Sequence, residues 1–181
     1  MTAVTAGATL AEPDVAAFRT AMGRFPTGVT LLTQGSGDDT IVMTLNSLTS
    51  VSLDPMLILV SVKASGRMRP RISDAGSFAV NVLTEAQLDL AVAFCKPDRP
   101  EGSAAMLRLG AREGVTGNAV LPAAETYVEC VLDAEYTAGD HTLLIGRVVA
   151  LSGGSSHPDP LLFHQGKFGR LPAAEPQGAA A

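Results

Sequence analysis

The chain has 181 residues, 46% of them hydrophobic and 17% charged, with a formal charge of −5. An acidic balance with no Lys/Arg run excludes a surface that tracks a phosphate backbone, so nucleic acid is not an expected partner. No stretch nears the ~20 apolar residues of a bilayer span, so a membrane is not expected either.

That length fits one domain, and a core of this size needs no disulfide or metal to fold. So apolar a composition suggests a partner subunit over part of the surface, or a pocket lined by apolar side chains. Residues 1–13 are rich in Ala and Thr, lack periodicity and read as a loose tail. The first ten lack the basic start and apolar core of a secretory signal. Cys95 and Cys130 form no CxxC pair, which points to a reduced, cytoplasmic setting.

Asp14 is a good N-cap, and Val15, Phe18, Met22 and Phe25 then recur on one helical face, until Gly23 and Pro26 stop the helix. Residues 28–33 form a β-branched strand, and 35–39 a Gly/Ser/Asp turn. Residues 40–45 and 48–53 are two more strands, broken by Asp54-Pro55. The apolar run 56–62 reads as a strand buried on both faces. A short helix over 66–75 stops at Gly76, a strand covers 78–83, and Thr84 caps a helix from Glu85 to about Phe94. Residues 96–122, dense in Gly and Pro, read as a long excursion with one helical turn near 104–108. Residues 127–136 and 142–151 are long strands of a hairpin turning at Gly139-Asp140-His141. A last short hairpin covers 161–163 and 166–169, and 172–181 is a Pro/Ala tail. Strands that follow one another without helices predict a mainly β, mainly antiparallel domain over 14–171, a barrel with peripheral helices.

Three constellations could carry chemistry. In the strand pair 43–53, alternation puts Thr44 and Asn46 on one face, with Ser47, Thr49, Ser50 and Ser52 following. Hydroxyls, an amide and turn N–H groups can satisfy a heteroaromatic ring. Ser and Thr are frequent near turns, so composition alone favours an ordinary polar strand edge. In Ser61-Val62-Lys63-Ala64-Ser65-Gly66-Arg67, a strand runs into a helix start among cations; this is either a phosphate site or a solvated connection. His141, past the Gly-Asp turn, could contact a ligand, although an exposed turn histidine is more often bland. His141, His157 and His164 lack metal-ligand spacing, no GxSxG is present, and Cys95 has no evident base.

These pieces come in a telling order: Phe18-Arg19, then residues 23–29 (Gly-Arg-Phe-Pro-Thr-Gly-Val), then 43–55, then 76–83. Gly139-Asp140-His141 and residues 160–168 follow. In this the chain resembles the flavin reductase-like family, the FMN-binding split barrels, and within it the reductase components of two-component flavin-dependent monooxygenases. The resemblance implies a six-stranded antiparallel split β-barrel of Greek-key type with peripheral α-helices, usually a homodimer with flavin at the subunit interface. It implies that the segment carrying Thr44, Asn46, Ser47, Leu48 and Thr49 lies along the isoalloxazine, with Thr27 and Phe168 completing the set. Ser61, Val62, Lys63, Ser65 and Arg67 would hold the ribityl phosphate, and Asp140 and His141 would sit by the nicotinamide nucleotide. No obligatory acid or base is implied, and His141 is a positioning residue. The family's frequent Gly is absent at Val42 or Met43, Pro100 follows Asp98-Arg99, and Gln165 and Phe168 replace a frequent Arg or Tyr.

The implied activity is hydride transfer from NADH to an exchanging flavin, with reduced flavin passing to a separate monooxygenase. FAD is expected over FMN because the 96–122 excursion could cover an adenine. The rival readings are a non-catalytic flavin carrier and another oxidoreductase on the same barrel.

Overall fold

The computed structural model describes residues 14–153 and 159–172. The tail expected over 1–13, nearly all of that over 172–181, and His157 lie outside them.

Helix α1 (Val15–Gly23) starts where expected: the Asp14 carboxylate accepts from the Ala17 N–H at 2.7 Å. Its apolar face, however, is left mostly exposed by the described residues. Phe18 is 59% exposed and Phe25 69%, and no α1 residue is buried. Strand β1 (Thr27–Gly28) and strand β2 (Thr30–Gln34) follow, split at Val29, whose N–H donates to Leu161 O and whose carbonyl accepts from Leu83 N. The chain continues through β3 (Ile41–Leu45), β4 (Thr49–Leu53) and β5 (Met56–Lys63). Helix α2 (Met68–Ala75) ends at Gly76, whose φ of 67° is the left-handed cap conformation that glycine adopts without strain. Strand β6 (Ser77–Val82) leads to the Thr84–Gln87 capping box and α3 (Leu88–Phe94).

Residues 96–122 are more ordered than their composition suggests. They form α4 (Gly102–Leu109) and a two-stranded ladder of β7 (Arg112–Glu113) and β8 (Ala119–Val120). Long-range polar contacts pin them to the barrel. Thr33 Oγ1 donates to Ala119 O at 2.6 Å, and the Asn81 carboxamide accepts from Leu121 N at 2.8 Å. Buried Asn118 accepts from Gly35 N at 2.8 Å and donates to Ser77 Oγ at 3.0 Å. Such contacts satisfy buried polar groups that a Gly/Pro-rich segment would otherwise leave unpaired.

Strands β9 (Thr126–Ala138) and β10 (His141–Leu151) form the expected hairpin, and β11 (Leu162–His164) with β12 (Lys167–Gly169) the last one. The main sheet is antiparallel throughout, in the order β3-β2-β6-β9-β10-β5-β4, and β1-β11-β12 forms a second small sheet. The mainly β, antiparallel architecture is the expected one, with a main sheet of seven strands.

Two cores flank this sheet. One gathers Leu32, Val60, Val62, Ile72, Phe78 and Leu144, with α2 packed in. The other places α3 and α4 on the opposite face, through Leu31, Val42, Phe94, Ala105 and Leu109. The doubly buried strand is therefore β2, buried at every residue, and not β5. In β5 the inward positions are buried, while Leu57, Leu59 and Ser61 are half-exposed. β5 lies next to the edge of the sheet, and among the described residues its outer face is left half-exposed.

Candidate flavin site

The connection between β3 and β4 is anchored at three points. Thr44 Oγ1 donates to Ala91 O of α3 at 2.8 Å. The Asn46 amide donates to Thr27 Oγ1 at 3.1 Å. Ser47 Oγ donates to Ser61 O at 3.1 Å and accepts from Ser61 N at 3.0 Å. Residues 46–48 are outside any strand, so their backbone amides are free of the ladder.

Asn46 stands between two cavities of about 290 Å³ each. One is lined by Val29, Thr44, Leu45, Cys95, Phe163 and Phe168, and it is mostly apolar. The other adjoins Phe25, Pro26, Thr27, Thr30, Leu48 and Val82. Phe163 and Phe168 meet edge-to-face across the β11–β12 ladder, with ring centroids 5.5 Å apart. An apolar trough with an amide and a hydroxyl on its rim suits a flat heterocycle with polar edges.

A second cluster lies where β5 and β10 end together. Lys63 pairs with His141 in the ladder, and Ala64 N donates to Asp140 O at 3.0 Å. His141 Nδ1 lies 2.8 Å from Asp140 Oδ1. That hydrogen bond, then the charge of His141, holds the Asp140 carboxyl below its usual range. Ser65 is exposed in the turn, and Arg67 precedes α2 with its guanidinium paired to Glu101. The clusters are joined through Ser47 and Ser61, and Ser61 is two residues, about 7 Å, from Lys63 along β5.

The sequence-derived set thus separates into groups. Thr27, Thr44, Asn46, Leu48 and Phe168 line the trough. Lys63, Ser65, Asp140 and His141 share one turn region, with Arg67 at the helix start beside it. Val62 points into the core at 2% exposure, so only its backbone is available to a ligand. Thr49 is exposed on β4 opposite Leu59. Sequence reasoning missed Val29, Cys95 and Phe163 as trough residues. Phe163 was visible only as the ladder partner of Phe168; Cys95 reaches the trough through the packing of α3, which no local pattern reports.

A curved antiparallel sheet with an aromatic-rimmed trough, beside a cationic turn, defines a small barrel suited to a flat, phosphorylated ligand. Comparison with known proteins narrows this. The flavin reductase like domain matches residues 22–172, and the chain belongs to that family. An NADH-dependent FMN reductase of Streptomyces nodosus subsp. asukaensis is 45% identical over 160 residues, covering 88% of this chain and 86% of that protein. The crystal structure of the flavin reductase component of a bacterial two-component tryptophan halogenase has a TM-score of 0.82 at 38% identity, covering 89% of this chain and 100% of that one. An NADH:FAD oxidoreductase of Streptomyces globisporus, in complex with NAD and FAD fragments, has a TM-score of 0.81 at 33% identity, covering 92% and 98%.

Proposed function

We propose that the protein is an NADH-dependent flavin reductase that takes FMN or FAD as an exchanging substrate and delivers reduced flavin to a separate monooxygenase. The observation that carries this reading is the trough between Asn46 and Phe168, joined through Ser47 and Ser61 to the Lys63–His141 turn. The flavin ring supplies the hydride-accepting chemistry. The protein supplies orientation and exclusion of water. Phe163, Phe168 and Val29 give the ring an apolar bed, and the Asn46 amide with nearby backbone N–H groups meets its polar edge. Lys63, Ser65 and Arg67 face the phosphate. His141, oriented by Asp140, positions the nicotinamide nucleotide at the adjacent turn.

The trough does not distinguish FMN from FAD, because the ring is common to both. The 96–122 segment, expected to cover an adenine, is folded onto the barrel through α4 and Asn118. The reading includes a homodimer. It is supported by the bare apolar face of α1 and by half-exposed Leu57, Leu59, Leu143 and Ile145 on the outer face of β5 and β10. Among the described residues no helix is long and apolar enough to cross a membrane.

The test is to follow NADH absorbance with FMN and then FAD present. Flavin-dependent loss is expected. No loss with either flavin, using NADH or NADPH, overturns the reading; flavin binding without turnover would make the protein a carrier.

A further inference from the structure

Glu101 occupies the N-cap position of α4, with extended backbone at φ −134° and ψ 168°, yet its carboxylate does not bond its own helix. It reaches instead to Arg67, with Oε1 2.6 Å from Nη2 and Oε2 3.1 Å from Nη1. This two-pronged pair gives up a local cap, which is ordinarily stabilising, for a partner on another element.

The placement of Glu101 is scaffolded. Gly102 N donates to Thr40 O at 2.8 Å, and the Ser103 hydroxyl bonds the Asp38 carboxylate. Gly102 has φ 59°, and a Cβ there would lie 2.9 Å from the Asp38 carbonyl oxygen. The start of α4 is therefore fixed against the turn at residues 37–39, and Arg67 comes to it. The neighbouring Arg69 is likewise engaged, pairing with Glu135 at 3.3 Å, whereas Lys63 stands opposite His141 in the ladder. An arriving phosphate therefore meets an arginine that already has a carboxylate.

We propose that Glu101 competes with the flavin phosphate for Arg67 and thereby keeps the flavin exchangeable. This rests on the reading of Lys63–Arg67 as the phosphate site. Both partners are partly solvated, with side chains 63% and 39% exposed, so the exchange of one anion for another is nearly balanced. A flavin held this way leaves readily, as a reductase that hands its product to another enzyme requires.

The test compares Glu101→Gln, Glu101→Ala, Arg67→Ala and the parent protein, using flavin fluorescence to measure Kd for FMN and for riboflavin. Removal of the carboxylate should tighten FMN roughly three- to fivefold, the upper part of what an exposed ion pair contributes. Riboflavin, lacking the phosphate, should bind all forms alike, and Arg67→Ala should weaken FMN alone. The flavin KM should follow Kd, and the NADH KM should stay put. If Arg67→Ala weakens FMN but neither Glu101 variant tightens it, the competition is overturned and the phosphate site stands. If Arg67→Ala leaves FMN unchanged, both the inference and the phosphate reading of Arg67 fail. Equal tightening of riboflavin also overturns the inference, since the effect would not run through the phosphate.

Discussion

Ser47 and Ser61 hold each other twice. The Ser47 hydroxyl donates to the Ser61 carbonyl at 3.1 Å and accepts from its N–H at 3.0 Å, so one side chain completes both backbone groups of a residue on the neighbouring strand. This fixes the free stretch 46–48 against β5 and joins the trough to the phosphate turn.

Ser47→Ala should leave both groups of Ser61 half-buried without their partner. The cost is about 1–3 kcal/mol, read as a lower urea midpoint with unchanged slope. The flavin KM should rise and the NADH KM should not. Parallel rises in both would deny Ser47 a place in the flavin site.

Phe168→Ala removes one wall of the trough and the edge-to-face contact with Phe163. Loss of an aromatic pair together with its contact area should raise the flavin KM roughly tenfold. Phe168→Leu should recover part of it. An unchanged flavin KM in the Ala variant would place the ring elsewhere.

Asp140 supplies a prediction with a definite sign. Its carboxyl lies below the usual range because His141 hydrogen-bonds it and then because His141 and Lys63 are cationic neighbours. A depressed folded-state value means that the stabilisation is present at neutral pH and is lost as pH falls through that value. The carboxyl-carbon NMR titration of Asp140 should have its midpoint below that of an unperturbed aspartate. In His141→Ala the midpoint should move up, and the NADH KM should rise more than the flavin KM. A midpoint unmoved by the substitution would separate the two residues.

The two thiols should differ sharply. Cys95 is exposed, whereas Cys130 is buried in β9, where desolvation and then the charge of Glu129 push its pKa up to about 12. At pH 8 the Cys130 thiolate is roughly one part in ten thousand. A chromogenic disulfide reagent should modify Cys95 in the native protein and Cys130 only after unfolding. Fast native modification of both would show that the β9 core opens.

Gly146→Ala tests the core around Phe78. A Cβ at this position would collide with the Phe78 ring tip and lie 2.8 Å from the Cys130 Cβ. Overpacking of about 1–3 kcal/mol should appear as a lower Tm, with both KM values near those of the parent. An unchanged Tm would mean that β10 shifts freely past Phe78.

Much of the fold was legible because its signals are local. Asp14 caps α1, Gly76 takes the left-handed turn, Thr84 and Gln87 close a capping box, and Gly139 turns the long hairpin. Each depends on residues within a few positions of one another. The resemblance, too, is a matter of order: a hydroxyl-rich strand pair, a Lys-Ala-Ser-Gly-Arg segment and a Gly-Asp-His turn. Composition alone, by contrast, leaned towards a polar strand edge at Thr44–Thr49.

The tertiary structure decided the rest. Whether an apolar strand is buried on one face or two depends on what packs over it. Helices α3 and α4 cover β2, while the outer face of β5 is left half-bare. The order of residues 96–122 comes from buried hydrogen bonds to residues far away in sequence: Thr33 and Asn81 reach into the segment, and its own Asn118 reaches out to Gly35 and Ser77, so long-range contacts replace the missing local propensity. The same holds for Arg67: its charge is plain in the sequence, but Glu101, which occupies it, reaches it only because α4 folds back onto the turn at Asp38. Local sequence determines which elements form; long-range packing determines which of their faces and charges remain free.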